Sequence, residues 1–88
     1  MVHRKIRRNG EGMSKIVRHR AFTSNAWDVL LPHFYQYGSL TSSEISEIIQ
    51  IEFMVPFHPR KCAKVLSNDG RFKVRRPKGA SCLLYSLR

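Results

Sequence analysis

The chain has 88 residues, enough for one domain and a tail. A chain of this size buries roughly 60% of its unfolded surface, so its core is small. Its 42% apolar content excludes a wholly disordered polymer, and its net charge of +10 excludes a neutral surface. The charge is segregated. Residues 1–22 carry seven Lys/Arg and one Glu, net +6; residues 23–57 carry no Lys or Arg and four acids, net −4; residues 58–88 carry nine Lys/Arg and one Asp, net +8. A surplus kept for solubility would be scattered, whereas this blockwise sorting is the electrostatic footprint of a polyanion-binding protein. A membrane surface would require a basic amphipathic helix with a wide apolar face, and none is evident, so no membrane partner is expected.

Residues 1–21 show no sustained apolar period and read as a flexible basic arm. The arm offers Arg4, Lys5, Arg7, Arg8, Lys15, Arg18 and Arg20 as phosphate contacts. Asn9-Gly10-Glu11-Gly12 interrupts it, and Met13-Ser14-Lys15 looks like a second translation start. There is no apolar run of signal-peptide length. The acid-poor start loosely resembles a mitochondrial transit peptide, against which its Gly-rich middle speaks. Two cysteines, Cys62 and Cys82, make no disulfide framework, so an intracellular, reducing location, cytoplasmic or nucleoid/nuclear, is expected.

Residues 22–88 read as the folded domain. Thr23 or Ser24 caps a first helix whose Trp27, Leu30, Leu31 and Phe34 form one apolar face. Pro32 predicts a kink or an early break, and Gly38 a C-terminal stop. The aromatic set Trp27, Phe34, Tyr35 and Tyr37 sits at helical spacing on an acid-bearing segment, which reads as core rather than as a base-stacking platform. Ser39-Leu40 is a bridge-length strand. Thr41-Ser42-Ser43-Glu44 is a capping box that opens a second helix, with Ile45, Ile48 and Ile49 inward and Glu44, Glu47 and Glu52 outward. This helix ends near Phe53, and the apolar Met54–Phe57 connection is expected to pack on the core.

Pro59 suits the first turn of a third helix. Cys62, Val65 and Leu66 mark its buried face, while Arg60, Lys61, Lys64, Ser67 and Asn68 face outward. Asn68-Asp69-Gly70 stops it, with Gly70 available for positive φ. Phe72 and Val74 then alternate with Lys73 and Arg75 in a strand, Arg76-Pro77-Lys78-Gly79 fits a type I turn, and Leu83, Tyr85 and Leu87 line the inner face of a returning strand.

The segment Gly38-Ser39-Leu40-Thr41-Ser42-Ser43-Glu44-Ile45 and the stretch Pro59 to Leu87 carry a resemblance. So does the junction Val65-Leu66-Ser67-Asn68-Asp69-Gly70-Arg71-Phe72. The order helix, short strand, capped helix, helix, hairpin resembles the winged helix-turn-helix superfamily over about residues 23–88. The implied fold is α+β, three helices plus a C-terminal two-stranded hairpin wing. The connection between the second and third helices departs from the pattern, being longer than the 3–4-residue turn of a tight helix-turn-helix. Longer connections occur in some winged-helix subfamilies, the HARE-type among them. By position, the resemblance implies that Arg60, Lys61, Lys64, Ser67 and Asn68 face a DNA major groove and that Arg75, Arg76 and Lys78 lie on the wing. Arg71 and Lys73 extend this basic set. Independently of the resemblance, Arg, Lys and Asn are the side chains whose donors match guanine and adenine edges, and lysines on a hairpin suit phosphates.

His58 and Cys62, at i and i+4, would place two zinc ligands on one helix, but only Cys82 and His33 could complete a set and no CxxC or HxxxH spacing exists. No nucleophile motif or Gly-rich phosphate loop is present, so neither a cofactor nor an enzymatic activity is expected. The leading expectation is a duplex-DNA-binding protein acting in transcription regulation or as an architectural accessory. Two others stand beside it: an RNA-binding component resembling a winged-helix protein of the small ribosomal subunit, and a protein-docking module that uses Glu44, Glu47 and Glu52.

Overall fold

A computed structural model describes residues 15–88. The expected contacts at Arg4, Lys5, Arg7 and Arg8 lie outside the described residues. The rest is an α+β domain. In chain order it comprises β1 (Val17–Arg18), β2 (Ala21–Phe22), α1 (Ser24–Tyr37), β3 (Leu40–Thr41), α2 (Ser42–Phe53), α3 (Pro59–Asn68), β4 (Phe72–Arg75) and β5 (Leu84–Leu87). The strands form two antiparallel sheets, the hairpin β1-β2 and a three-stranded sheet ordered β3-β5-β4.

The folded part begins earlier than residue 22. Ile16 is fully buried, and Val17 and Arg18 pair with Phe22 and Ala21. The two residues of the turn, His19 and Arg20, have φ of 56° and 66°. Positive φ at both central positions is the two-residue turn whose twist matches a hairpin, and Asn-Gly normally occupies it.

Helix α1 is capped by Thr23, whose side chain accepts the Ala26 N–H at 3.4 Å, and closed by Gly38 at φ 82°. Of the expected kink or early break at Pro32, the break does not occur: the helix runs on to Tyr37. The carbonyl that the ring leaves unbonded belongs to Asp28, and both residues lie on the exposed side, where a lost helix bond costs least. Trp27, Leu30 and Phe34 are buried, but Tyr35 and Tyr37 are 76% and 62% exposed and do not join the core.

Helix α2 has the expected capping box. Thr41 Oγ1 accepts the Glu44 N–H at 3.2 Å, and the Glu44 carboxylate accepts the Thr41 N–H at 2.8 Å. Its last turn closes on Met54 in the left-handed region, φ 55°, which turns that side chain out to 87% exposure, so only Phe57 of the connection is buried. Gly70 is not at positive φ; Asp69, extended at φ −85°, ends α3 instead.

The core gathers Ile16, Phe22, Trp27, Leu30, Phe34, Ile45, Ile49, Phe57, Cys62, Val65, Leu66, Phe72 and Tyr85. Phe72 is its hub. Its ring stacks on Trp27 at 5.0 Å and meets Phe22 edge-on at 5.8 Å and Phe34 at 5.6 Å. These aromatic pairs lock the N-terminal hairpin, α1 and the C-terminal sheet to one another. No helix among the described residues is long and apolar enough to cross a membrane.

Candidate nucleic-acid interface

Helix α3 is fixed at both ends. His58 is its N-cap, with Nδ1 accepting the Arg60 N–H at 3.1 Å, and Pro59 follows in the first turn. At the other end the Asn68 amide donates to the Lys64 carbonyl at 2.8 Å. With Cys62, Val65 and Leu66 buried, Arg60, Lys61, Lys64, Ser67 and Asn68 are all exposed. Two of these five are partly committed. Asn68 spends one of its two amide N–H groups on the Lys64 carbonyl, and Ser67 lies beside the buried Tyr85, whose hydroxyl is pushed up by burial and by the nearby Cys62, with the Ser67 hydrogen bond opposing.

The hairpin β1-β2 is held next to α3 by a polar clamp built from the α3-β4 junction. Asp69 is buried, and its carboxylate accepts the Phe22 N–H at 3.1 Å and the Arg71 N–H at 3.1 Å. Arg71 returns a 2.7 Å ion pair to Asp69 and donates to the Phe22 carbonyl at 2.7 Å. Both backbone groups of Phe22 are thereby satisfied by residues 47 and 49 positions later. The Arg71 guanidinium also lies 4.3 Å over the Trp27 ring. Burial alone would raise the Asp69 pKa, but the hydrogen bonds from Arg71 and Phe22 and the Arg71 charge outweigh it and hold the carboxyl below the usual range. Arg71 therefore braces the junction, while about half of its side chain stays exposed.

The clamp brings Arg20 to α3. Val17 and Arg20 of the hairpin and Lys61, Lys64, Val65 and Asn68 of α3 line a groove of about 520 Å³. Three cations border it and no carboxylate does. Their mutual repulsion works against folding and is relieved by a polyanion. The strained left-handed residues His19 and Arg20 form the hairpin tip, and strain of this kind costs about 1–3 kcal/mol per residue and clusters at functional positions. Arg18 and Lys15 are exposed on the same segment.

Lys73 and Arg75 occupy the outer face of the three-stranded sheet, opposite Ser86 and Leu84 of β5. Arg76 and Lys78 are exposed in the loop beyond β4. The turn in this loop is one residue later than expected. The Ala80 N–H bonds the Pro77 carbonyl at 3.1 Å, and Gly79, third in the turn, has φ 81°. A positive φ at that position is the requirement of a type II turn.

On the acidic side, His33, Tyr37, Ser39, Leu40, Glu44, Glu47 and Ile48 line a second groove of about 410 Å³. Glu52 is exposed elsewhere on α2. His58 is occupied as a helix cap and Cys62 is packed in the core, where burial pushes its thiol up to about 12. Among the described residues no group of three or more His, Cys, Asp or Glu could hold a metal ion.

Sequence reasoning missed the hairpin, and with it the pairing of Arg20 with α3. The available signal was two apolar pairs, Ile16-Val17 and Ala21-Phe22, on either side of Arg18 and the two-residue turn His19-Arg20. No family model matches the chain, and neither curated proteins nor solved structures yield a match.

Proposed function

We propose that this chain is a winged-helix-type DNA-binding protein that seats α3 and the tip of the β1-β2 hairpin on duplex DNA. The observation that carries the reading is the α3 groove. There Arg20, from a hairpin some 40 residues upstream, joins Lys61, Lys64 and Asn68 in a lining free of carboxylates. The element order of three helices followed by an antiparallel β4-β5 pair supports the winged-helix part of the reading. A helix fits the major groove, where lysine donors match guanine O6 and N7. Asn68 has one amide N–H engaged on the Lys64 carbonyl and keeps its second N–H and its oxygen, the donor and acceptor that read adenine. Most of the affinity comes from phosphates, and base discrimination rests on Lys61, Lys64 and Asn68.

The test is a mobility-shift titration of a duplex against Lys64→Glu and Glu47→Lys variants, with structured RNA of equal length as competitor. Loss of binding in Lys64→Glu but not in Glu47→Lys supports the reading. Equal losses in both, or RNA displacing the duplex at stoichiometric amounts, sinks it.

The acidic groove favours a second reading, docking of a basic protein partner beside Glu44 and Glu47. A nuclease-resistant partner lost on Glu44→Gln and Glu47→Gln substitution supports it, since Gln at position 44 preserves the capping box. A partner released by nuclease refutes it.

A further inference from the structure

The outer face of the three-stranded sheet carries a second cationic surface that the α3 groove does not use. Lys73 pairs with Ser86 and Arg75 with Leu84, while Leu40 pairs with Tyr85. Side chains alternate across a strand, and Phe72 and Tyr85 are buried, so Lys73, Arg75, Leu84 and Ser86 share the outer face. Continuing the β3 register by one residue sets Ser39 beside Ser86. A row Ser39, Ser86, Lys73 therefore crosses all three strands, with Arg75 one row away. Together with Gly38 and Leu84 these residues line a concavity of about 290 Å³, and no carboxylate lines it.

Two cations on one face of a strand stand about 6.7 Å apart along it, and with two hydroxyls they form a donor set suited to backbone phosphate. None of these residues lines the α3 groove. The inner faces of the sheet and of α3 bury Phe72 and Tyr85, and Cys62, Val65 and Leu66, in the same core, so their outer sides are separate surfaces.

We infer that the outer sheet face is a second, independent site for DNA backbone phosphate, and that one molecule holds two duplexes at once. This rests on the reading of the α3 groove as the first DNA site. The protein joins duplexes, which is the work of an architectural factor.

The experiment uses the full chain with two populations of short duplex, about one helical turn (~10 base pairs), carrying donor or acceptor dye. Sedimentation under the same conditions gives the protein's own mass. Wild type is expected to give energy transfer as a monomer. Lys73→Ala/Arg75→Ala is expected to lose the transfer while keeping its first-duplex affinity within about twofold, and the salt slope of the second event falls by about two. Lys61→Ala/Lys64→Ala is expected to lose the tighter event and retain the weaker one. All four side chains are exposed, and unchanged thermal melts confirm folding. Binding of a single duplex by wild type, or transfer that persists in Lys73→Ala/Arg75→Ala, overturns the inference and leaves the α3 reading intact. Undiminished tight binding in Lys61→Ala/Lys64→Ala overturns the α3 reading instead.

Discussion

Replacing Asp69 by Ala tests the clamp that positions Arg20. The substitution leaves the Phe22 N–H buried with its 3.1 Å acceptor gone, at a cost of about 1–3 kcal/mol. It removes the bond to the Arg71 N–H, about 0.5–1.5 kcal/mol. The ion pair itself contributes at most about 1 kcal/mol, because the Arg71 side chain is 51% exposed and screened by solvent. The central expectation is a loss of about 3 kcal/mol, a large fraction of the 5–15 kcal/mol that holds a small domain together. Urea unfolding followed by Trp27 fluorescence measures it, since the Arg71 guanidinium lies against that ring. Asp69→Asn is expected to lose less, because one amide oxygen still accepts one of the two backbone N–H groups. The pH dependence has a fixed sign. The Asp69 pKa is depressed in the folded state, so its contribution is complete above the usual carboxylate range and disappears as pH falls through the folded value. Asp69→Asn abolishes that component. A stability change under about 0.5 kcal/mol in Asp69→Ala, typical of a neutral surface site, refutes the clamp as the device that docks the hairpin.

Other outcomes follow from the same geometry. At pH 8 a thiol reagent is expected to modify exposed Cys82 rapidly and buried Cys62, with its pKa near 12, only on unfolding; equal rates would contradict the packing of α3. Arg20→Gly is expected to raise stability by about 1 kcal/mol by relieving positive φ, while weakening duplex binding; a variant that gains stability and keeps full affinity removes Arg20 from the interface. Met54→Gly is expected to stabilise by about 1 kcal/mol in a thermal melt, since the left-handed closing residue of α2 is 87% exposed and makes no core contact to lose; destabilisation would show that the Met54 side chain contributes packing.

Much of the scaffold was legible because local signals were strong. The capping box at Thr41, Pro59 in the first turn of α3 and the apolar spacings of α1, α2 and α3 each place an element by a physical requirement. Three features were hidden. Pro32 predicted a kink or an early break, but a proline on the solvent side of a helix can give up its bond without ending the helix. Asp69 read as a lone acid beside a helix end; its buried partners lie 47 residues away, beyond any local pattern. The hairpin was masked because its turn uses His19 and Arg20 where Asn-Gly would have announced it. That omission mattered most for the site, since the hairpin supplies Arg20. The charge pattern likewise gave no sign that the Arg71 guanidinium also bonds Asp69 and Phe22 and lies over Trp27.

The most direct test of the central claim is the salt dependence of duplex binding. Arg20, Arg60, Lys61 and Lys64 alone, each neutralising one phosphate, give a log–log slope of about −3.6, or roughly a 150-fold loss of affinity between 50 and 200 mM salt. Lys61→Ala/Lys64→Ala is expected to flatten that slope by about 1.8. An affinity that barely moves across this range, or a slope unchanged in the variant, would contradict the assignment of the α3 groove to DNA.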